Sequence, residues 1–300
     1  MMIADWMLGV SHHLLGDQAS ARRHCETSLN PEPIQNSNLI RSGYDQRIRA
    51  LVILARSLWL QGYANRAVTV ATQALHLANA LDQPVPLCFC CIFAVTVLLW
   101  TGNWSEADRI IDRLIACAEK YSLGPYLAIG LGLQGRLSLQ QEDTEAGLRL
   151  LKACLNALEA GQHQALTAVF TNDLAIGLAR SARPDEANAA IDQVMALACG
   201  EPTRPHFYLP ELMRIKGELL ASGPHSSEAE NWFSRSLDLA REQSALAWEL
   251  RTATSLAHLL GNQGRHDEAQ SVLRPIYDRF TEGFGTPDLR AAKYLLDELK

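Results

Sequence analysis

The 300-residue chain has no Gly-x-x-x-x-Gly-Lys-Ser/Thr loop, the arrangement that cradles nucleotide phosphates. It is also short of positive charge, with 27 Lys and Arg against 33 Asp and Glu and a net charge of −6. That balance argues against direct nucleic-acid contact, which needs a basic stripe to neutralise phosphates. It argues equally against a polybasic membrane patch. The start, Met1-Met2-Ile3-Ala4-Asp5-Trp6, lacks the basic segment and cleavage site of a secretion signal.

Cysteine pairing signals are missing too. The seven cysteines (25, 88, 90, 91, 117, 154 and 199) are odd in number, and most sit in apolar helical runs. They read as reduced, buried thiols of a cytoplasmic protein. His12, His13, His24 and Cys25 could be drawn as a metal site, but adjacent histidines on a helix point about 100° apart. No cofactor or metal ion is expected, no order of Ser, His and Asp suggests a nucleophile, and the chain reads as non-catalytic. Long apolar runs are nearly absent. The one exception, Val85 to Trp100, falls short of the roughly 20 residues that span a bilayer. It reads as a helix buried on all sides.

What the sequence does contain is a repeated phrase: a turn residue, a short polar stretch, an alanine, and a further residue four positions on. It runs Gly16…Ala21…Cys25, Gly62…Ala67…Ala71, Gly102…Ala107…Ile111, Glu142…Ala146…Leu150, Ala182…Ala187…Ile191, Gly223…Ala229…Phe233 and Gly264…Ala269…Leu273. Spacing near 40 residues marks a stacked solenoid, in which each unit buries its apolar face against its neighbours. Between phrases the apolar residues recur with helical period, as Ile48, Leu51, Val52, Ala55 and Leu58 do. The small residues let the paired helix approach closely.

The expected fold is therefore an all-α solenoid of about seven helical hairpins. It forms one domain over 1–300, with a first hairpin at 1–30, six more over 45–282 and a capping helix at 286–299. The expected helix pairs are 4–15 with 18–29, 46–60 with 64–81, 86–101 with 104–120, 125–140 with 144–160, 164–181 with 184–198, 208–221 with 227–243, and 246–262 with 266–280. Asn103 and Ser227 read as N-caps, each followed three residues on by Glu. Pro184 and Pro287 open helices whose first turns carry acids. Asn30–Tyr44 and Gly200–Tyr208 read as inter-unit loops. The first hairpin has no cap before it, which suggests the C-terminal part of a longer protein or an end that needs a partner.

A two-helix unit with small residues at fixed places resembles the tetratricopeptide repeat, best in the sixth unit at Leu212, Gly217, Leu220, Ala229, Phe233 and Ser236. The period here is longer than that family's 34 residues, by roughly a turn per helix. Leu209–Leu220, Trp248–Ala257 and Tyr277–Leu289 resemble blocks in the C-terminal region of bacterial signalling ATPases that carry a winged-helix or a class III adenylate cyclase domain at the front. Gly16–Glu26 and Leu58–Tyr63 lean toward the winged-helix branch. The resemblance implies a module for interaction and signal reception, whose partner is a protein, a peptide, or an upstream ATPase or DNA-binding domain of the same system. Self-association is a further reading.

In such arrays the first helix of each unit lines the inner groove. Aligning on Ala67, Ala187, Ala229 and Ala269 brings Arg49, Arg56, Asn172, Arg180, Glu211, Arg214, Glu218, Arg251 and His258 to that side. Arginines there can grip carboxylates by their forked donors. Alternatively, Glu211, Arg214 and Glu218, at i, i+3 and i+7, form a local ladder. Charge reversal at Arg214 and Arg251 is expected to weaken partner capture without unfolding. A competing reading, a small-molecule effector domain, would use a pocket lined by Trp59, Trp100 and Trp104.

Overall fold

The helical period of the sequence becomes fifteen helices in the computed structural model, which describes residues 2–30, 46–161, 166–198, 207–221 and 226–300. They are α1 (Met2–Leu15), α2 (Gln18–Leu29), α3 (Gln46–Leu60), α4 (Ala64–Leu81), α5 (Pro84–Thr101), α6 (Trp104–Lys120), α7 (Gly124–Gln140), α8 (Thr144–Ala160), α9 (Thr167–Arg180), α10 (Pro184–Ala198), α11 (Leu209–Ala221), α12 (Ser226–Glu242), α13 (Leu246–Asn262), α14 (His266–Tyr277) and α15 (Pro287–Glu298). No strand occurs among the described residues, and the architecture is an all-α solenoid. Most of the two loops singled out above, together with Cys199 and Gly223, lies outside the described residues.

Six of the seven hairpins turn in the same way. The residue two places before the second helix takes a left-handed backbone at Gly16, Gly62, Gly102 and Gly264, and also at Glu142 and Ala182. First helices pack on the first helices of neighbouring hairpins, and α15 closes on α13 and α14. Second helices make no comparable contacts with one another among the described residues. The first helices therefore form the inner layer.

The register corrects the sequence reading in the fourth hairpin. In the other six, the recurring alanine stands three residues into the second helix and is fully buried. In α8 that place belongs to Gly147, which is buried, while Ala146 is only half-buried. A Cβ on Gly147 would lie 2.6 Å from Leu139 Cδ2 and 3.0 Å from the carbonyl oxygen of Gly135. Gly147→Ala should therefore lower stability by about 1 kcal/mol, because overpacking outweighs the gain in helix propensity. Urea unfolding checks this, and a stabilised variant would remove the close-contact account.

Two capping expectations also change. Asn103 holds the N-cap position of α6, but its side-chain amide donates to Thr101 Oγ1 at 2.7 Å and makes no cap hydrogen bond. Ser227 already lies inside α12. Side-chain caps do occur at Asp17, accepting from the Ser20 N–H, and at Asp143, accepting from the Ala146 N–H. The apolar run extends two residues further than expected, as the 18-residue α5, and is mostly buried in the protein.

The sequence carries no sign of one feature, the return of the array onto itself. Gly62 packs against Leu246 and Phe280, and a Cβ there would come within 2.9 and 3.0 Å of them. Gly102 abuts Pro287, and Gly283 abuts Ala64. Glu282 accepts the Arg66 backbone N–H at 3.1 Å. The last hairpins and α15 thus rest on the turns of the first three. One apolar cluster consequently runs from Cys25 in α2 to Trp248 in α13. At its centre Trp59 stacks on Trp100 at 4.3 Å, and Trp248 stands edge-on to both.

Candidate functional site

Because the array closes, α5, α7, α9, α11, α13 and α15 converge on one inner pocket of about 300 Å³. Six of the residues expected on the concave side line it: Asn172, Arg180, Glu211, Arg214, Glu218 and Arg251. Arg180, Glu218 and His258 also border an adjoining cleft of about 590 Å³. Arg49 and Arg56 line neither. Arg49 lies against the rings of Trp6 and Phe89. Arg56 is buried behind the pocket wall, its guanidinium 4.8–5.6 Å from the ring centres of Phe93, Trp100 and Phe207.

The C-terminal wall is a self-satisfied ionic ladder. Arg214 donates Nε and Nη2 to the two oxygens of Glu211, at 2.7 and 2.9 Å, and Nη1 to Glu218. Arg251 donates to Glu211 Oε1 at 3.1 Å and to Asp288 Oδ2 at 2.8 Å. Burial opposes ionisation of Glu211, but the charges and hydrogen bonds of Arg214 and Arg251 outweigh it and hold the carboxyl at about 2. The same carboxylates raise both guanidiniums above their ordinary range against the pull of burial. The local-ladder reading of Glu211, Arg214 and Glu218 thus describes this wall. Charge reversal at Arg214 or Arg251 would strike buried supports of the fold.

The opposite wall is less complete. Arg136 Nε and Asp173 Oδ2 are 3.6 Å apart, too far for a hydrogen bond. Arg136 Nη1, Asp173 Oδ2 and Asn172 Oδ1 are buried with no hydrogen-bond partner, and so is the indole N–H of Trp100. The Asn172 amide donates to the Tyr208 hydroxyl at 3.4 Å. Burial pushes the Asp173 carboxyl up to about 6, with Glu211 adding to the rise and Arg136 and Arg251 opposing it. Buried polar atoms left without partners cost free energy and are uncommon in native proteins.

Arg136, Asp173, Tyr208 and Asp288 are among the pocket residues that the alignment does not reach. For Arg136 a signal existed. It stands eleven residues before Gly147, as Arg56 stands before Ala67, Glu218 before Ala229 and His258 before Ala269. The alignment on Ala67, Ala187, Ala229 and Ala269 leaves the fourth hairpin out and so does not reach it. Of the three tryptophans of the effector reading, Trp100 and Trp104 line the pocket, whereas Trp59 is packed in the aromatic cluster. Among the described residues no group of three or more His, Cys, Asp and Glu could hold a metal ion. His13 is instead bonded to Gln18, and burial pushes the Cys25 thiol up to about 12.

Paired helices, a left-handed intra-hairpin turn and a buried small residue three places into the second helix define a tetratricopeptide-like α-solenoid. The sequence profile of the tetratricopeptide repeat matches residues 2–27 and 250–275, the first hairpin and most of the last. No curated protein sequence matches. Among solved structures the chain is similar to a Rap protein complexed with competence and sporulation factor, with a TM-score of 0.68 and 16% identity over 99% of this chain and 75% of that one. It is similar to the apo form of RapI, with a TM-score of 0.59 and 10% identity over 99% of each chain. NprR in complex with its cognate peptide NprX gives a TM-score of 0.57 and 11% identity over 99% and 82%. At such identities the likeness is one of fold.

Proposed function

We propose that this chain is a non-catalytic reception module, and that its inner pocket takes a segment of a peptide or protein partner. The observation that carries the reading is the pocket wall of Arg136, Asn172 and Asp173, whose buried polar atoms await partners while the facing wall is already satisfied. Asn172 offers an acceptor, Arg136 a donor, and Ile176, Ile215 and the half-exposed Trp104 apolar contact. That mixture suits an extended peptide, which presents amides and side chains together. Two of the similar folds are complexes by name, the Rap protein with competence and sporulation factor and NprR with its cognate peptide NprX, which supports the same reading. The resemblance of Leu209–Leu220, Trp248–Ala257 and Tyr277–Leu289 to regulator blocks supports reading the chain as a module of a bacterial transcriptional regulator or signalling ATPase. A small-molecule effector is the second reading, favoured by the facing of Trp100 and Trp104 onto so small a pocket.

Selection of displayed linear peptides on the purified full chain tests the proposal. Selected peptides should lose roughly tenfold in affinity with Trp104→Ala or Arg180→Ala, which trim the rim rather than the buried ladder. Failure to select any sequence, or selected peptides indifferent to both substitutions, would remove the pocket from the reading.

A further inference from the structure

We propose that the inner end of the pocket, between Trp100, Arg136 and Asn172, is a monoanion site that takes a carboxylate group, either the free C-terminus of a peptide or a small organic acid. This deepens the reception reading and rests on the same pocket.

Charge and hydrogen-bond inventories both point to an anion. Arg136, Arg180, Arg214 and Arg251 line the pocket and Arg56 lies directly behind it, while the acids are Asp173, Glu211, Glu218 and Asp288. With Asp173 charged, one positive charge is left over in a protein whose net charge is −6. The surplus belongs to the inner end, because Arg214 and Arg251 are each held by two carboxylates. Arg56 has no carboxylate within ion-pair distance among the described residues, and its Nε and Nη2 have no hydrogen-bond partner. Burial, with the charge of Arg136 adding to it, draws its guanidinium down to about 9. The free donors are therefore Arg136 Nη1, the Trp100 indole N–H and two groups on Arg56, against only two free acceptors, Asn172 Oδ1 and Asp173 Oδ2.

A donor-rich, positively charged recess of low dielectric favours an anion and disfavours an ammonium or guanidinium, which would meet four lining arginines with Arg56 behind the wall. The surplus is one with Asp173 charged and two with it neutral, so a monoanion is compensated in both states and a phosphate dianion in only one. A planar carboxylate also matches the fork of Arg136, whose Asp173 contact leaves the guanidinium under-bonded.

Asp173 makes the site sensitive to pH. The groups facing it are Arg136 on α7, Cys154 on α8, Tyr208 and Glu211 at the start of α11, and Arg251 on α13. Below its pKa of about 6 the carboxyl is neutral and can donate to an incoming carboxylate. Above it, the charged form repels that group. Affinity for a carboxylate therefore falls as pH rises through 6.

The test uses the full chain with indole-labelled tryptophan, the Trp100 N–H resonance being assigned through Trp100→Phe. Acetate should move that resonance saturably and bind on the order of tenfold more weakly at pH 7.5 than at pH 5. Arg136→Gln should weaken binding by about tenfold, and Asp173→Asn should keep binding while flattening its pH dependence. N-acetyl tetra-alanine as free acid and as C-terminal amide separates the sources. An acid binding more tightly than acetate, with an inert amide, identifies a peptide terminus; an acid no better than acetate identifies a small organic acid. No saturable shift with acetate at either pH, or an equal shift from methylguanidinium, overturns the site whether or not Arg136→Gln folds. Selected peptides that bind equally as acids and amides would sink the carboxylate site alone. Acetate binding without any selectable peptide would sink the peptide reading alone.

Discussion

Glu211→Ala is expected to cost about 3–5 kcal/mol of unfolding free energy, the loss seen when one partner of a buried ion pair is removed. Glu211 is 2% exposed and accepts three hydrogen bonds from two arginines on different helices. Without it, Arg214 keeps Glu218 and Ser255 and Arg251 keeps Asp288, but both guanidiniums face a cavity that no carboxylate fills. The sign of the pH dependence separates this ladder from the facing wall. The folded-state pKa of Glu211 lies below 4.5, so its contribution is complete above 4.5 and is lost as pH falls toward 2. The pKa of Asp173 is raised from 3.8 to about 6, so its contribution is present below 3.8 and is lost as pH rises through 6. Urea titrations from pH 3 to 7.5 should therefore show Glu211→Gln removing part of the acid-side loss and Asp173→Asn removing a neutral-side loss. A Glu211→Ala cost below about 1 kcal/mol at pH 7 would mean that the ladder supports little.

The helices were legible because their signals are local. Apolar period, left-handed turn residues and small buried residues all act within one hairpin, so the boundaries at Gln46–Leu60 or Trp104–Lys120 follow from a few neighbours. The site was only half legible. Position on the inner helix brought Asn172, Glu211, Arg214 and Arg251 to the pocket, because repeat register fixes facing. The alignment left out the fourth hairpin, where Gly147 stands in the alanine's place, and Arg136 with it. Pairing between Glu211 and Arg214 is three residues long and could be read; pairing of Arg251 with Asp288, across 37 residues, depends on how α15 docks. Closure of the array was invisible because Arg66 and Glu282 stand 216 residues apart, and nothing periodic links them. The most selective feature of the pocket, its enclosure, is thus the one furthest from the repeat.

Closure makes the last prediction the sharpest departure from ordinary solenoid behaviour. In an open repeat array a lesion is felt by adjacent repeats and fades beyond them. Trp248, fully buried in the seventh hairpin, stands edge-on to Trp59 of the second and Trp100 of the third, and donates its indole N–H to the Phe207 carbonyl at 3.1 Å. Trp248→Ala should cost about 3–5 kcal/mol from lost burial and the cavity left behind. Hydrogen exchange should quicken in α3 and α5 as well as in α13. Leu273→Ala, equally buried but in the cluster confined to the last hairpins and α15, should cost about 2–5 kcal/mol while leaving exchange in α3 unchanged. If Trp248→Ala left α3 protected like the parent chain, the contact between the two ends would be incidental, and the pocket between them would not depend on closure. If α3 and α13 open together, the two ends form one cooperative unit, and a ligand that binds the closed pocket stabilises hairpins it never touches.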